Sequence, residues 1–504
     1  MEKMILNIGI GLLLLFGLTA CYEDKGNDDY HLLPEVKLNN LEETYWVTQF
    51  DTLKISPEID LDGKTEEDFS FSWKIWSDAL TGSVMDTISF EKELRYPVTE
   101  TPGSYTMVFS VCDRGTQVKT YKTMKLKIQG LINEGWMVLH EKDGKTDFDL
   151  LMTPFISNRV TKETRLRNCY EQINKESLPG GKGVKITSYF TGNFQYVYVF
   201  TENAGVRLSA VNMQKMYDLS SLVLDGKPLK PVYYAGLPWG NMTYLSEMLI
   251  SGGRFYISLF GANLFAEPVL RAGMTYQAAP YAVRWLEWTL KAAIYDELQG
   301  RFLKVGNDVL SFMEFPPAIG APFDWNRMNA HMVYMEAGFN KYEYAVMEDW
   351  STRVRSLYVL NFLTKDNQYA VAVYPTDQCP EFTSANSFAV GGRGNVFYYS
   401  ADRKLYFYDY SGSNKAKEIL EAPTGEVITH LEILKPNEDY YMKNHPYDNK
   451  VLMMATYNEQ TGEGKVYMYY INEANGTVDK SSVKVFGDFG KIIDMEFNYP
   501  KYGA

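Results

Sequence analysis

Apolar and polar residues alternate in short runs along most of the chain, the period of β-strands with one buried face. Between Pro34 and Gln129, the segment DTLKISPEI alternates around Leu53, Ile55 and Ile59, and FSFSWKIW sets Phe69, Phe71, Trp73 and Ile75 on one face. A turn at Pro102-Gly103 leads into a stripe of Tyr105, Met107, Phe109 and Val111. Asp113-Arg114-Gly115 is the next turn, before a last alternating run through Met124, Leu126 and Ile128. A tryptophan in a middle strand and a tyrosine opening a late one predict an immunoglobulin-like sandwich over residues 34–130.

After Gly130 the texture changes to hairpins with fuller apolar runs. LINEGWMVLHEKDGKTDFDLLM turns at Lys142-Asp143-Gly144, and QYVYVFTENAGVRLSAV turns at Asn203-Ala204-Gly205. Comparable segments follow near Gly252, at Gly300, at Lys365-Asp366-Asn367, near Asp402 and at Gly462, which makes seven candidate hairpins over residues 131–504. A series of four-stranded units buries its sheet faces most simply by closing into a ring, so residues 131–504 are expected to form a β-propeller. Its expected size is about seven blades, with six or eight compatible with the irregular spacing. The fold class is therefore all-β, a sandwich followed by a propeller. Three longer, less regular segments, 155–190, 213–248 and 313–345, are rich in Gly, Pro, Asn and Trp and predict loops on one propeller face.

The first 33 residues have another character. Ile5 to Leu18 is apolar, follows Lys3 and ends in small residues before Cys21. The run is shorter than the roughly 20 residues a membrane-crossing helix needs and has the layout of a secretory signal. Leu18-Thr19-Ala20-Cys21 resembles the bacterial lipobox, which implies cleavage after residue 20 and lipidation of Cys21. Several acyl chains on one cysteine anchor stably, because each buried CH₂ contributes about 0.8 kcal/mol. Residues 21–33, acidic and Gly/Asn-bearing, read as a flexible tether.

Charge and cysteine usage narrow the function. The net charge of −13 argues against nucleic acid and against docking on anionic lipid, leaving the anchor as the membrane contact. Cys112, Cys169 and Cys379 are far apart, show no CxxC spacing and read as free thiols. The 38 tyrosines fit β structure and also offer flat, partly polar faces.

CYEDKGNDDY followed by this sandwich resembles the PKD-like family of lipoproteins from Bacteroidetes, and PGSYTMVFSVCD resembles the penultimate strand of PKD domains. The resemblance covers the first quarter of the chain. It implies export to the outer membrane, an outward-facing domain, and association with a transporter complex of the SusC/SusD type. Glu23 and Asp24, just after Cys21, loosely match the acidic signal for transfer to the outer leaflet.

Candidate chemistry is sparse. No GxSxG elbow occurs, and the five histidines have no zinc spacing. His140 and His430 read as local packing or capping residues. The turn Asp60-Leu61-Asp62-Gly63 carries calcium-type oxygens but lacks the order of an EF-hand, so it reads as a solvated turn, with calcium the weaker alternative and no other cofactor expected. Asp147 and Asp149 share a strand face, which an exposed edge explains. No catalytic residue and no metal ligand is singled out. The strongest ligand candidates are aromatic residues of the long segments, Trp239 and Trp325 with Tyr233, Tyr234 and Tyr244, suited to stacking on sugars or gripping peptides. Trp285 and Trp288 read as core. The expectation is a non-enzymatic surface lipoprotein that captures oligosaccharides or oligopeptides, or docks on a SusC/SusD-like transporter. A glycan-degrading propeller enzyme and a structural or adhesive protein are the alternatives.

Overall fold

A computed structural model describes residues 36–500 apart from 50, 62, 80–83, 101, 192–193, 237–244, 260–263, 269, 271–272, 288–289, 307–310 and 437–443. Cys21 and the tether lie outside the described residues, as do Asp62, Trp239, Tyr244 and Trp288. The chain forms two compact units: the first includes Thr52–Pro97 and Ser104–Leu126, the second everything from Lys127 onward.

The first unit is a small β-sandwich. Its five-stranded sheet has the order Thr44–Thr48, Lys119–Gln129, Gly103–Asp113, Phe69–Ser77, Asp86–Ser89, and two short pairs accompany it: Lys37–Asn39 with Glu58–Asp60, and Thr52–Ile55 with Leu94–Pro97. Trp73 is fully buried and pairs across the strands with Phe109, their rings 4.3 Å apart. Its indole N–H donates to the carbonyls of Glu91 and Lys92 at 3.1 and 3.2 Å, so the largest core side chain leaves no polar atom unpaired.

The second unit is a propeller of seven four-stranded antiparallel sheets among the described residues. The first blade is built from both ends of the unit: Lys491–Asn498 forms its innermost strand beside Gly135–Lys142, Lys145–Met152 and Thr164–Leu166. The other six blades run in chain order from the inside outward, with innermost strands Gly183–Thr191, Pro231–Gly236, Ala278–Ala282, Ala330–Ala337, Ser387–Val390 and Val427–Ile433. Each innermost strand touches the next, and Val427–Ile433 meets Lys491–Asn498, which in turn meets Gly183–Thr191, so the ring closes. All seven expected hairpins are present, each in a different blade.

Burial on both faces explains the apolar runs. In Gly135–Lys142, Met137 and Leu139 pack with Ile186, Val197 and Val199 of the second blade. Their neighbours Trp136 and Val138 pack with Val451, Met453 and Met468 of the seventh. A strand between two sheets has no wet face, so its sequence reads WMVL rather than alternating. At the seam, Gly490 sits so close to the backbone that an added Cβ would lie 1.8 Å from the Glu141 carbonyl oxygen.

The expected exposed edge at Asp147 and Asp149 is not what forms: both are buried. Asp147 accepts hydrogen bonds from the N–H groups of Phe148, Tyr170 and Glu171 at 2.7, 2.9 and 2.9 Å, fixing the start of the helix Cys169–Asn174. Asp149 accepts from Arg165 at 2.6 Å and from the Asn168 N–H at 2.8 Å, and it lies 3.2 Å from His140. Cys112, Cys169 and Cys379 are free. Among the described residues no helix is long and apolar enough to cross a membrane.

Candidate functional site: the central funnel

The seven innermost strands surround a cavity of about 480 Å³ lined from every blade. Its geometry rests on a repeated irregularity. Five of these strands carry a one-residue bulge, at Val184, Val232, Val333, Thr429 and Ile493, where pairing skips a residue. The fourth blade has a wider break between Ala278 and Ala282. A bulge re-aims the side chain beside it. Next to these six irregularities stand Lys185, Tyr233, Tyr334, His430, Asp494 and Tyr281, all lining the cavity.

They meet as neighbours around the ring. The Lys185 ammonium lies 3.4 Å from Asp494, and His430 Nε2 lies 3.6 Å from the same carboxylate. Tyr281 and Tyr334 cross edge to face at 5.8 Å, and Tyr334 lies 5.1 Å from the Phe388 ring of the sixth blade. Two of the phenols bridge neighbouring blades, Tyr233 donating to the Ala282 carbonyl at 3.0 Å and Tyr281 to that of Val333 at 3.1 Å, while Tyr334 donates to the Glu336 carboxylate on its own strand.

Two residues further along a strand the side chains return to the same face. After Tyr334, His430 and Asp494 these are Glu336, Glu432 and Glu496, a tier of three carboxyls in the cavity wall. Lys435 pairs with Glu336 and also donates to the Ala337 carbonyl at 3.0 Å. Glu432 has the His430 ring at 3.5 Å. Among the described residues, Glu496 has neither a hydrogen bond nor an ion pair.

The electrostatics follow. Burial, and then Asp494 and Glu336 nearby, push the Glu432 carboxyl well above the usual range. Burial and then Glu432 push Glu496 up to about 8. Burial lowers the His430 imidazole, which favours its neutral form. Burial opposes the charge on Lys185, but Asp494, Glu496 and Glu432 outweigh it and hold the ammonium ionised.

The five aromatic candidates fare differently. Trp325 is fully buried: its N–H donates to the Pro316 carbonyl at 2.9 Å and its ring meets Tyr369 edge-on at 5.1 Å. With no free face it pins the 313–329 segment to the core of the fourth and fifth blades, which corrects the expectation of a stacking platform. Tyr234 is also core, with its ring 4.0 Å from Tyr198 and its hydroxyl donating to Glu247 at 3.0 Å. Tyr233 lines the funnel. Trp239 and Tyr244 lie outside the described residues.

His140 is buried against Asp149, whereas His430 faces the funnel, so only the former is a packing residue. One further constellation resembles a catalytic triad on paper. Ser157 donates to Glu134, and His445 Nε2 lies 3.6 Å from the same carboxylate oxygen. Ser157 is completely buried and gives its proton to the carboxylate rather than to the imidazole, so the cluster locks a loop and presents no nucleophile. Among the described residues, no three His, Cys, Asp or Glu side chains are gathered closely enough to hold a metal ion.

Residues 21–181 match the model of the PKD-like family, a span that takes in the sandwich and reaches into the first blade. No curated protein matches the chain. Among solved structures, the chain is similar to a quinonprotein alcohol dehydrogenase-like protein from Bacteroides thetaiotaomicron at 14% identity, covering 92% of this chain and 99% of that one with a TM-score of 0.42. It is also similar to the hydrazine synthase of Kuenenia stuttgartiensis, at 9% identity over 73% of this chain and 93% of that one, TM-score 0.39. The β-propeller domain of Myceliophteria thermophila Cps50 (Swd1) shows 8% identity over 73% and 94%, TM-score 0.39.

Proposed function

We propose that the chain is a surface lipoprotein of the outer membrane, anchored through Cys21, whose propeller captures polar nutrient oligomers and passes them to a SusC/SusD-like uptake complex. The observation that carries the capture step is the funnel: about 480 Å³, walled by tyrosine rings and by acids and bases converging from several blades. Concave sites with a few convergent polar groups are the usual form of small-ligand sites. Tethering such a site beside a transporter raises the local ligand concentration without any new contact. The test is a panel of oligopeptides and oligosaccharides scored by thermal shift, repeated with Tyr281→Ala. Ligands that stabilise the parent and not the variant support capture; a panel without a single funnel-dependent binder refutes it. Copurification from detergent-solubilised outer membranes tests the docking half, and absence of any transporter subunit refutes that half alone.

A second reading, a glycan-degrading enzyme, draws on one observation. Glu432 and Glu496 are carboxyls pushed upward beside a third acid, Asp494, and a carboxylic acid held protonated at neutral pH is what protonates a leaving oxygen in glycoside cleavage. Products released from glycans by the parent and not by Glu496→Gln would favour it.

A further inference from the structure

We propose that the funnel recognises a primary ammonium group, seated between Glu432 and Glu496 and facing the tyrosine wall. This rests on the capture reading and names the chemistry of the group that site takes.

The balance of charge in the cavity carries the inference. Five acids line it, Glu336, Glu343, Glu432, Asp494 and Glu496, against three permanent cations, Lys185, Arg284 and Lys435. Lys435 is committed to Glu336 and Lys185 to Asp494. The backbone N–H of Arg284 donates to Glu343 at 3.0 Å, so this acid too has a hydrogen-bond partner. Glu432 and Glu496 stand on adjacent innermost strands without an ion pair to a permanent cation among the described residues, Lys185 acting on both only from beyond ion-pair range. Two half-buried carboxyls facing one cavity are costly as a pair of anions, and a cation between them reduces that cost.

The shape of the wall narrows the cation to an ammonium. No three ligand-type side chains among the described residues are close enough together for a metal ion. The rings of Tyr233, Tyr281 and Tyr334 line the same cavity with their hydroxyls turned to protein partners. Aromatic faces beside carboxyls suit an ammonium, whose charge the ring quadrupole attracts. An empty site holds a proton on Glu496 at neutral pH, since burial and Glu432 raise it to about 8. Seating an ammonium favours the ionised carboxylate, so binding releases that proton.

Two sources present this group, the N-terminus of a peptide and an amino sugar. Isothermal titration calorimetry on the full chain at pH 7 uses trialanine, the glucosamine trimer, and the N-acetylated form of each. Trialanine or the glucosamine trimer is expected to bind, and whichever does identifies the source. Its acetylated form is expected to bind at least tenfold more weakly. Titration in buffers of different ionisation enthalpy should show release of close to one proton. Glu496→Gln and Glu432→Gln should each weaken binding tenfold or more while melting no lower than the parent, because each replaces a carboxyl whose ionisation its surroundings oppose with a neutral group of the same shape. Failure of both unblocked probes to bind, equal binding of acetylated forms, or unchanged affinity in both variants overturns the ammonium assignment. If acetylated probes bind equally well and Tyr281→Ala weakens them, the ammonium falls while funnel capture stands.

Discussion

Arg207 and Glu247 form a buried ion pair between the second and third blades, and Arg207→Met tests how that pair is held. Neither side chain is accessible, and Arg207 Nη2 lies 3.2 Å from Glu247 Oε2. The carboxylate also accepts from Tyr234 at 3.0 Å and Tyr198 at 3.4 Å, while Arg207 Nε donates to the Tyr198 hydroxyl at 2.6 Å. Removing the guanidinium leaves a buried carboxylate with only the neutral donors Tyr234, Tyr198 and Ser258, a change that typically costs about 3–5 kcal/mol. The cost depends on pH with a definite sign. Burial already raises the folded-state pKa of Glu247 above its unfolded value. A group so raised stabilises the fold below the unfolded pKa and loses that stabilisation as pH rises toward the folded one. Without Arg207 the folded pKa rises further, so the deficit against the parent widens with pH, by up to about 1.4 kcal/mol per unit. Scanning calorimetry of the propeller transition at pH 5.5, 7 and 8.5 reads both effects. The double change Arg207→Met with Glu247→Leu, which removes both charges, should lose less than Arg207→Met alone at pH 8.5. A single-variant loss below about 1 kcal/mol, or a deficit that stays flat with pH, refutes the reasoning.

Trp325→Ala should lower propeller stability by about 3–5 kcal/mol, the usual loss for a large buried aromatic, and leave the affinity of any funnel ligand unchanged; parallel melting and titration separate the two. Gly490→Ala meets a backbone carbonyl that no rotamer change can move aside, so a loss of about 1–3 kcal/mol or more is expected in denaturant melts, larger than for Gly462→Ala, which meets no atom within 4 Å but has a φ of +70°. Cys21→Ala should move the protein from the membrane fraction to the soluble fraction of exported proteins, read by fractionation and immunoblot. Protease treatment of intact cells tests orientation, because full protection of the folded units contradicts an outward-facing site.

The hairpins were legible because burial on both faces of a middle strand writes an unbroken apolar run, and turn residues such as Asp143-Gly144 and Asn203-Ala204-Gly205 interrupt it. The innermost strands were not. They are short, and their bulges at Val184, Val232, Val333, Thr429 and Ile493 shift the period-2 pattern partway along. Their chemistry still left a trace: His430 and Glu432 flank Leu431, and Asp494 and Glu496 flank Met495, a titratable residue on either side of a buried apolar one. The aromatic loops drew attention instead, because a tryptophan in an irregular segment has the same sequence signature whether it pins the loop, as Trp325 does, or faces a ligand. Ring closure by Lys491–Asn498 joins positions more than 340 residues apart, which no local pattern records.

That closure ties the integrity of the ring to the make-up of its cavity. The eight residues Lys491–Asn498 supply the seam of the ring and, through Asp494 and Glu496, part of its chemistry. A chain interrupted before Lys491 contains six whole blades and most of a seventh, yet it exposes the edge of Gly135–Lys142 and lacks two of the five acids of the funnel. Such a chain therefore carries an unpaired strand edge and an incomplete cavity wall, so the same short stretch both closes the ring and completes its polar lining.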